Sequence, residues 1–224
     1  LSPASSGKTG GDARMEAAFF YAFPLYEFAR TAQQRTGANA GAAGAALNRV
    51  AHRAALADHT SRQVTAPNND TIYSSAFLEL SNGPVEVVSP TDTERYFSIA
   101  FMDAFTDNFA YIGTRATKGQ GGAFWVAGPQ WQGVAPANVT VLRSSTSDVW
   151  MLGRTLVDGP EDMAAARALQ TQITVRSTTP DMPARGFGVR CTNVEDPANF
   201  LGVVNDMLAR SPGGKGQTAR AAKF

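Results

Sequence analysis

The sequence predicts a mixed α+β fold, mainly β, in which a helical N-terminal segment leads into an antiparallel β-sandwich. Three observations predict it. Apolar residues recur at helical intervals before about residue 62, and from Val64 the period changes to two. Seven short period-two runs then follow with no helix between them.

Ala13 to Ala32 reads as the first helix, with Asp12 placed to cap it and Phe20, Phe23 and Phe28 among its apolar residues. Pro24 is predicted to kink or divide it, because proline removes a backbone donor and crowds the preceding turn. Small residues fill Gly37 to Gly44. A second helix is expected over about Ala42 to Leu56, where Leu47, Val50, Ala54 and Ala55 fall at helical spacing.

The predicted strands are Ile72–Leu80, Val85–Val88, Tyr96–Asp103, Phe109–Gly113, Ala123–Ala127, Val139–Arg143 and Val149–Val157. Gly, Pro, Asn and Ser bound them, as in Ser81-Asn82-Gly83-Pro84, and such spacing argues for a sandwich or barrel. Gly119-Gln120-Gly121-Gly122 reads as a hairpin rather than a phosphate cradle, since no helix follows it. A short helix over Glu161–Leu169 is expected, with Asp158 as its cap and Pro160 in its first turn. Ile173–Arg176 reads as a further strand, and Asp196–Leu208 as a final amphipathic helix bearing Phe200, Val203, Val204, Met207 and Leu208. That helix either folds back on the sandwich or docks on something outside the chain. The expected partition is 1–62, a helical segment; 63–180, the β-sandwich; and 181–224, a connecting helix and tail.

Composition narrows the function classes. Twenty basic and nineteen acidic residues among 224 leave a formal net charge of +1, and they are scattered. A nucleic-acid interface needs a basic stripe to release counterions from phosphate, so none is expected. The lone Cys191 excludes an intramolecular disulfide and a cysteine zinc site, and no metal or cofactor is expected. The two histidines, His52 and His59, lie seven apart, which is no metal-ligand spacing; His52 reads as a helix-face residue and His59 as a loop residue. The longest apolar run, Ala17–Phe23, falls far short of the roughly 18 residues of a membrane span. Leu1–Gly11, rich in Ser, Gly and Pro, suits a processed N-terminus and with it a periplasmic or secreted location.

Two places concentrate polar chemistry. Asn68-Asn69-Asp70-Thr71 is dense in side-chain hydrogen-bonding groups, enough for a structured turn into the next strand. The same groups with Tyr73 would also suit sugar hydroxyls or a hard cation, although the spacing does not match an EF-hand loop. In Phe97–Asp103, alternation continues an apolar row into a carboxylate, Asp103. In Trp150–Leu156 it places Arg154 beside Trp150, Leu152 and Leu156. An unpaired charge in an apolar row is costly, so Asp103 is expected to pair with Arg154 or with Arg115. Such a pair is either structural or the rim of a pocket.

Pro67-Asn68-Asn69-Asp70-Thr71-Ile72-Tyr73-Ser74, Leu80-Ser81-Asn82-Gly83-Pro84-Val85, Arg95-Tyr96-Phe97-Ser98 and Met102-Asp103-Ala104-Phe105-Thr106 occur in that order. Ile112-Gly113-Thr114-Arg115, Gly128-Pro129-Gln130-Trp131 and Leu152-Gly153-Arg154-Thr155-Leu156-Val157-Asp158-Gly159 continue it. Together they resemble the bacterial family called "domain of unknown function 1254", over about Phe20 to Gln170. The resemblance implies a helical segment joined to an immunoglobulin-like β-sandwich, and no settled activity. It also implies a second β domain, "domain of unknown function 1214", after a helical connector that Asp196–Phe224 resembles. The chain stops where that domain would begin, as expected of the N-terminal part of a longer protein, a processed form or a stand-alone variant.

Two functions stay open at this point. One is an exported enzyme, or half of one, acting on a small polar or carbohydrate-like substrate. Asp70 or Asp103 would then be the acid/base, with Asn68, Asn69, Tyr73, Arg115 and Arg154 binding the substrate. The other is a non-catalytic module that docks on a second β domain or another protomer.

Overall fold

The computed structural model describes residues 10–37, 44–61 and 68–222. Its first helix, α1 (Gly10–Thr36), is longer than predicted and runs on through Pro24 without dividing. Asp12 lies inside its first turn rather than capping it. Tyr21, Leu25, Phe28, Ala29 and Ala32 form a buried stripe at helical spacing on both sides of Pro24. That packing offsets the hydrogen bond and clash that an interior proline costs, about 3 kcal/mol.

The β elements are β1 (Ala51–His52), β2 (Thr71–Glu79), β3 (Val85–Ser89), β4 (Phe97–Asp103), β5 (Asn108–Gly113), β6 (Gly122–Ala127), β7 (Thr140–Arg143), β8 (Asp148–Leu156) and β9 (Thr174–Ser177). They form a five-stranded sheet, β1-β2-β8-β4-β5, and a four-stranded sheet, β7-β6-β3-β9. Every pair is antiparallel except β6–β7, which is parallel and departs from the wholly antiparallel expectation. The helices after β8 are a 3-10 turn at Pro160–Asp162, α2 (Met163–Gln170), α3 (Pro197–Arg210) and α4 (Lys215–Ala221). Asp158 does not cap α2; its backbone N–H instead donates to Asp162 Oδ2 at 2.8 Å.

The inner faces of both sheets share one core: Ala76, Leu78, Ile99, Phe101, Val149 and Met151 from the first, Val85, Val87, Phe124, Val126 and Val175 from the second. A second apolar cluster lies on the outer face of the five-stranded sheet. There α1 and α3 cover Phe77 and Trp150, with Phe28 edge-on to Phe77 at 5.6 Å and Phe77 stacked on Trp150 at 5.4 Å. Phe200, Val203, Val204 and Met207 are buried in this cluster, so α3 folds back and its apolar face is not the free docking surface it could have been.

The second predicted helix is not there. Within its predicted span, residues 44–50 are irregular and Ala51–His52 form β1, putting His52 on a strand, its Nδ1 2.9 Å from Ser74 Oγ. Asn48 explains the change. It adopts a left-handed φ of 60°, and its side chain accepts from Glu79 N–H at 2.7 Å and donates to Glu79 C=O at 3.1 Å. Asn48 N–H donates to Phe77 O and Arg53 N–H to Tyr73 O, so the segment satisfies its backbone along the edge of β2 rather than within itself.

The Gly119–Gly122 run is not a hairpin either, because β5 and β6 belong to different sheets. It crosses between them against Pro90, where a Cβ on Gly121 would sit 1.7 Å from the Pro90 carbonyl oxygen.

Candidate functional site

The Asn68–Tyr73 segment folds as a polar turn at one end of the five-stranded sheet. Asn68 Oδ1 accepts the Asp70 N–H at 3.0 Å, and Tyr73 Oη accepts the Asn68 N–H at 3.1 Å. Val157 N–H donates to the Asp70 carbonyl at 2.8 Å and anchors the turn to the end of β8. Asn69 and Asp70 are exposed; Pro67 lies outside the described residues. Arg154, opposite Tyr73 in the register, places its guanidinium 5.7 Å from the Tyr73 ring centre. Asn68, Asp70, Tyr73 and Arg154 therefore come together, on the outer face and rim of the sheet.

Arg154 is exposed, not buried beside Trp150 as the alternation implied. The buried phase of β8 is Val149, Met151, Gly153 and Thr155. Because β8 is central and α1 covers part of its outer face, Trp150 is also half-buried, and hydropathy alone does not reveal the phase. Arg115 is exposed beyond the end of β5, with its guanidinium 5.7 Å from the Tyr96 ring centre. Gly113, Ser98, Arg154 and Tyr73 lie in line across the sheet, so Arg115 shares the Arg154 end, but its strand lies two strand spacings, roughly 10 Å, from that of Arg154 and three, roughly 14 Å, from that of Tyr73.

Asp103 belongs elsewhere. It pairs with Val149, which pairs with Leu78, seven residues along β2 from Thr71 and so about 23 Å from the Asn68 turn. It is buried, and neither Arg154 nor Arg115 reaches it. Its Oδ1 accepts the Phe105 and Asp107 N–H groups at 2.9 and 3.0 Å, and its Oδ2 accepts Ser145 Oγ–H at 2.8 Å. Burial raises its pKa against the opposing effect of these donors. The expected ion pair is thus replaced by a carboxylate that holds the β4–β5 turn.

Among the described residues, a buried ion pair joins Arg210 of α3 to Asp148 of β8, both side chains only 2% exposed. Nothing in the local sequence marks it, since its partners are 62 residues apart. A second row, Trp125–Glu86–Arg176, crosses the outer face of the four-stranded sheet. Strand alternation points each of these three outward, but only the register puts them side by side.

Two cavities accompany these features. One, of about 1000 Å³, lies between the end of α1 and the 184–191 segment and is lined by Arg30, Gln33, Phe187 and Cys191 among others. The other, of about 540 Å³, lies over the second sheet beside Trp125 and Arg176. None of Asn68, Asn69, Asp70, Tyr73, Asp103, Arg115 and Arg154 lines either. Among the described residues no three His, Cys, Asp or Glu side chains are grouped to hold a metal ion, and no helix is long and apolar enough to cross a membrane.

Residues 47–177 match the model of the family described as "Protein of unknown function (DUF1254)". The chain belongs to the DUF1254 family. The match spans the paired strands from β1 to β9 and includes the Asn68–Tyr73 turn. None of the curated proteins matches the chain. Among solved structures, the VPA0106 protein of Vibrio parahaemolyticus is similar at 25% identity and a TM-score of 0.68. The similarity covers 93% of this DUF1254 chain and 50% of that one, so the chain spans about half the length of this solved relative. An uncharacterised protein from Burkholderia cenocepacia is similar at 12% identity and a TM-score of 0.40, over 91% of this chain and 51% of that one.

Proposed function

We propose that this DUF1254 chain is a binding and scaffolding module, built on an immunoglobulin-like sandwich, that docks a second β domain through an aromatic ridge on α1. The observation that carries the reading is the ridge itself. Met15, Phe19, Phe20 and Phe23 of α1 and Leu201 of α3 are all exposed, Phe20 by 67% and Leu201 by 56%. Phe19 is the hub, with ring centres 5.8, 5.3 and 5.4 Å from Phe20, Phe23 and Phe200. Contiguous exposed apolar surface of this kind marks an interaction site.

Physical chemistry supports an occupant. Residues 10–17 of α1 are exposed, and most helical stability comes from tertiary packing of the kind an occupant would add there. Fully burying each of the five side chains contributes up to about 1.5–3 kcal/mol, enough to hold a tethered domain whose entropic cost of docking is small. The solved relative, of which this chain covers 50%, carries a further body of about this chain's size. The ridge also adjoins α4, where Tyr21 Oη donates to the Gln217 carbonyl at 3.3 Å.

A complete acid/base site has less support. Asp103 and Asp70 are more than about 23 Å apart, and the Asp103 carboxylate is taken up by the turn it organises.

Sedimentation and apolar-dye binding of the 224-residue chain test the ridge, with Phe19→Ser/Phe20→Ser/Leu201→Ser as comparison. Dye binding that the triple variant loses supports docking. A monomer that binds no dye removes the reading, and a stable dimer broken by the same variant assigns the ridge to a second copy instead.

A further inference from the structure

We propose that the groove on the outer face of the four-stranded sheet binds an acidic sugar, a hexuronate unit carrying one carboxylate on a pyranose ring. Trp125, Glu86 and Arg176 are direct cross-strand neighbours on β6, β3 and β9. They line a cavity of about 540 Å³ together with Arg49, Pro180 and Met182, a size that holds one or two sugar rings.

The hydrogen bonds define what the groove offers. Glu86 Oε2 accepts Trp125 Nε1–H at 3.2 Å, and Glu86 Oε1 accepts Arg176 Nε–H at 2.6 Å. With its N–H engaged, the indole presents ring surface, suited to stacking against the C–H face of a pyranose. The Arg176 side chain is 69% exposed, and its Nη1 and Nη2 donors make no hydrogen bond among the described residues. Arg49 is exposed at the same groove, and its guanidinium likewise has no partner there. Two cations against one carboxylate, itself already held by Arg176 and Trp125, leave the groove electropositive. A free guanidinium fork matches a carboxylate in a two-point hydrogen bond.

The surface continues past the groove. Trp131 stands edge-on to Trp125 at 6.1 Å, and the Arg143 guanidinium lies 5.3 Å from the Trp131 ring centre. Two adjacent indoles, Trp125 and Trp131, thus lie between Arg176 on β9 and Arg143 on β7, a strip with a cation at each end that further units of an acidic polysaccharide would follow.

Calorimetric titration of the 224-residue chain with galacturonic acid, its trimer and neutral maltotriose tests the proposal. The acidic trimer is expected to bind at least about tenfold more tightly than maltotriose. Trp125→Ala should abolish that binding. Arg49→Ala, at an exposed position where the fold is not at stake, should weaken it about tenfold with an unchanged melting temperature. A trimer that binds more tightly than the monomer assigns the strip to a polymer, and equal affinities assign the groove to a free sugar acid. No binding of either acid, equal binding of maltotriose, or affinity unchanged in both variants overturns the proposal.

Discussion

The Arg210 guanidinium meets the Asp148 carboxylate in a two-point hydrogen bond, Nε to Oδ2 at 2.8 Å and Nη2 to Oδ1 at 2.7 Å, deep beneath α3. Glu79, also buried, stands directly opposite Asp148 across β2 and β8, but its oxygens accept the Ser81 and Arg185 N–H groups, each at 3.0 Å, which leaves Arg210 to pair with Asp148. The remaining Arg210 donors reach the Gly186 and Arg185 carbonyls, and its face stacks 4.4 Å from the Phe187 ring centre. Burial opposes the Arg210 charge, but the hydrogen bonds and attraction of Asp148, with Glu79 and Asp206 nearby, outweigh it and raise the pKa. This contact pins the end of α3 to the first sheet.

Arg210→Met should therefore be strongly destabilising, by about 3–5 kcal/mol, because it strands the Asp148 charge in the interior. Equilibrium urea unfolding measures it. The double variant Arg210→Met/Asp148→Leu should recover much of the loss, as the uncompensated carboxylate is then gone.

Asp103 makes the opposite prediction for a conservative change. Asp103→Asn keeps the acceptor for the Phe105 and Asp107 N–H groups, and the Ser145 hydroxyl turns to accept, so stability at neutral pH should be equal to or above wild type. Asp103→Ala strands those donors and should cost about 1–3 kcal/mol. The sign with pH follows from the raised pKa. A carboxyl whose folded pKa lies above its ordinary value near 3.8 favours folding while protonated, and that contribution is lost as pH rises through the folded pKa. Wild type should thus lose stability relative to Asp103→Asn between acid and neutral pH, which thermal unfolding across pH measures.

Much of the fold was legible in the residues. The runs Val85–Val88 and Ala123–Ala127 fall within one residue of β3 and β6, because Gly83-Pro84 and Ser89-Pro90 bound the one and Gly121-Gly122 and Gly128-Pro129 the other. Residues 44–56 do not form the helix that their spacing predicts, because Ala and Leu at helical intervals say nothing about Asn48, whose side chain captures both backbone groups of Glu79. The Asn68–Tyr73 turn was legible for a local reason: its hydrogen bonds join residues two and five apart. Arg154 and Asp103 were placed together wrongly because strand phase and register depend on which neighbours cover a central strand. The Arg210–Asp148 pair and the Trp125–Glu86–Arg176 row lay beyond a sequence reading for the same reason, being products of long-range pairing alone.

Cys191 should be a slow nucleophile. Burial pushes its thiol up to about 11, with Arg30 partly opposing, so little thiolate exists at neutral pH. Its reaction with a disulfide reagent should be well below that of a free thiol at pH 7 and should accelerate steeply above pH 10. Rapid labelling at pH 7 in the folded protein would contradict this.

Hydrogen exchange along α1 tests the docking function most directly. In the 224-residue chain, amides of residues 13–20 should exchange readily, since most of that stretch is exposed and lies near the helix end. In the full-length protein expressed from its own gene, the same amides should be strongly protected, and Phe19→Ser/Phe20→Ser should remove the protection while the strands stay protected. Equal exchange of these amides in the two proteins, or a full-length protein that is this chain alone as a dye-free monomer, would contradict it.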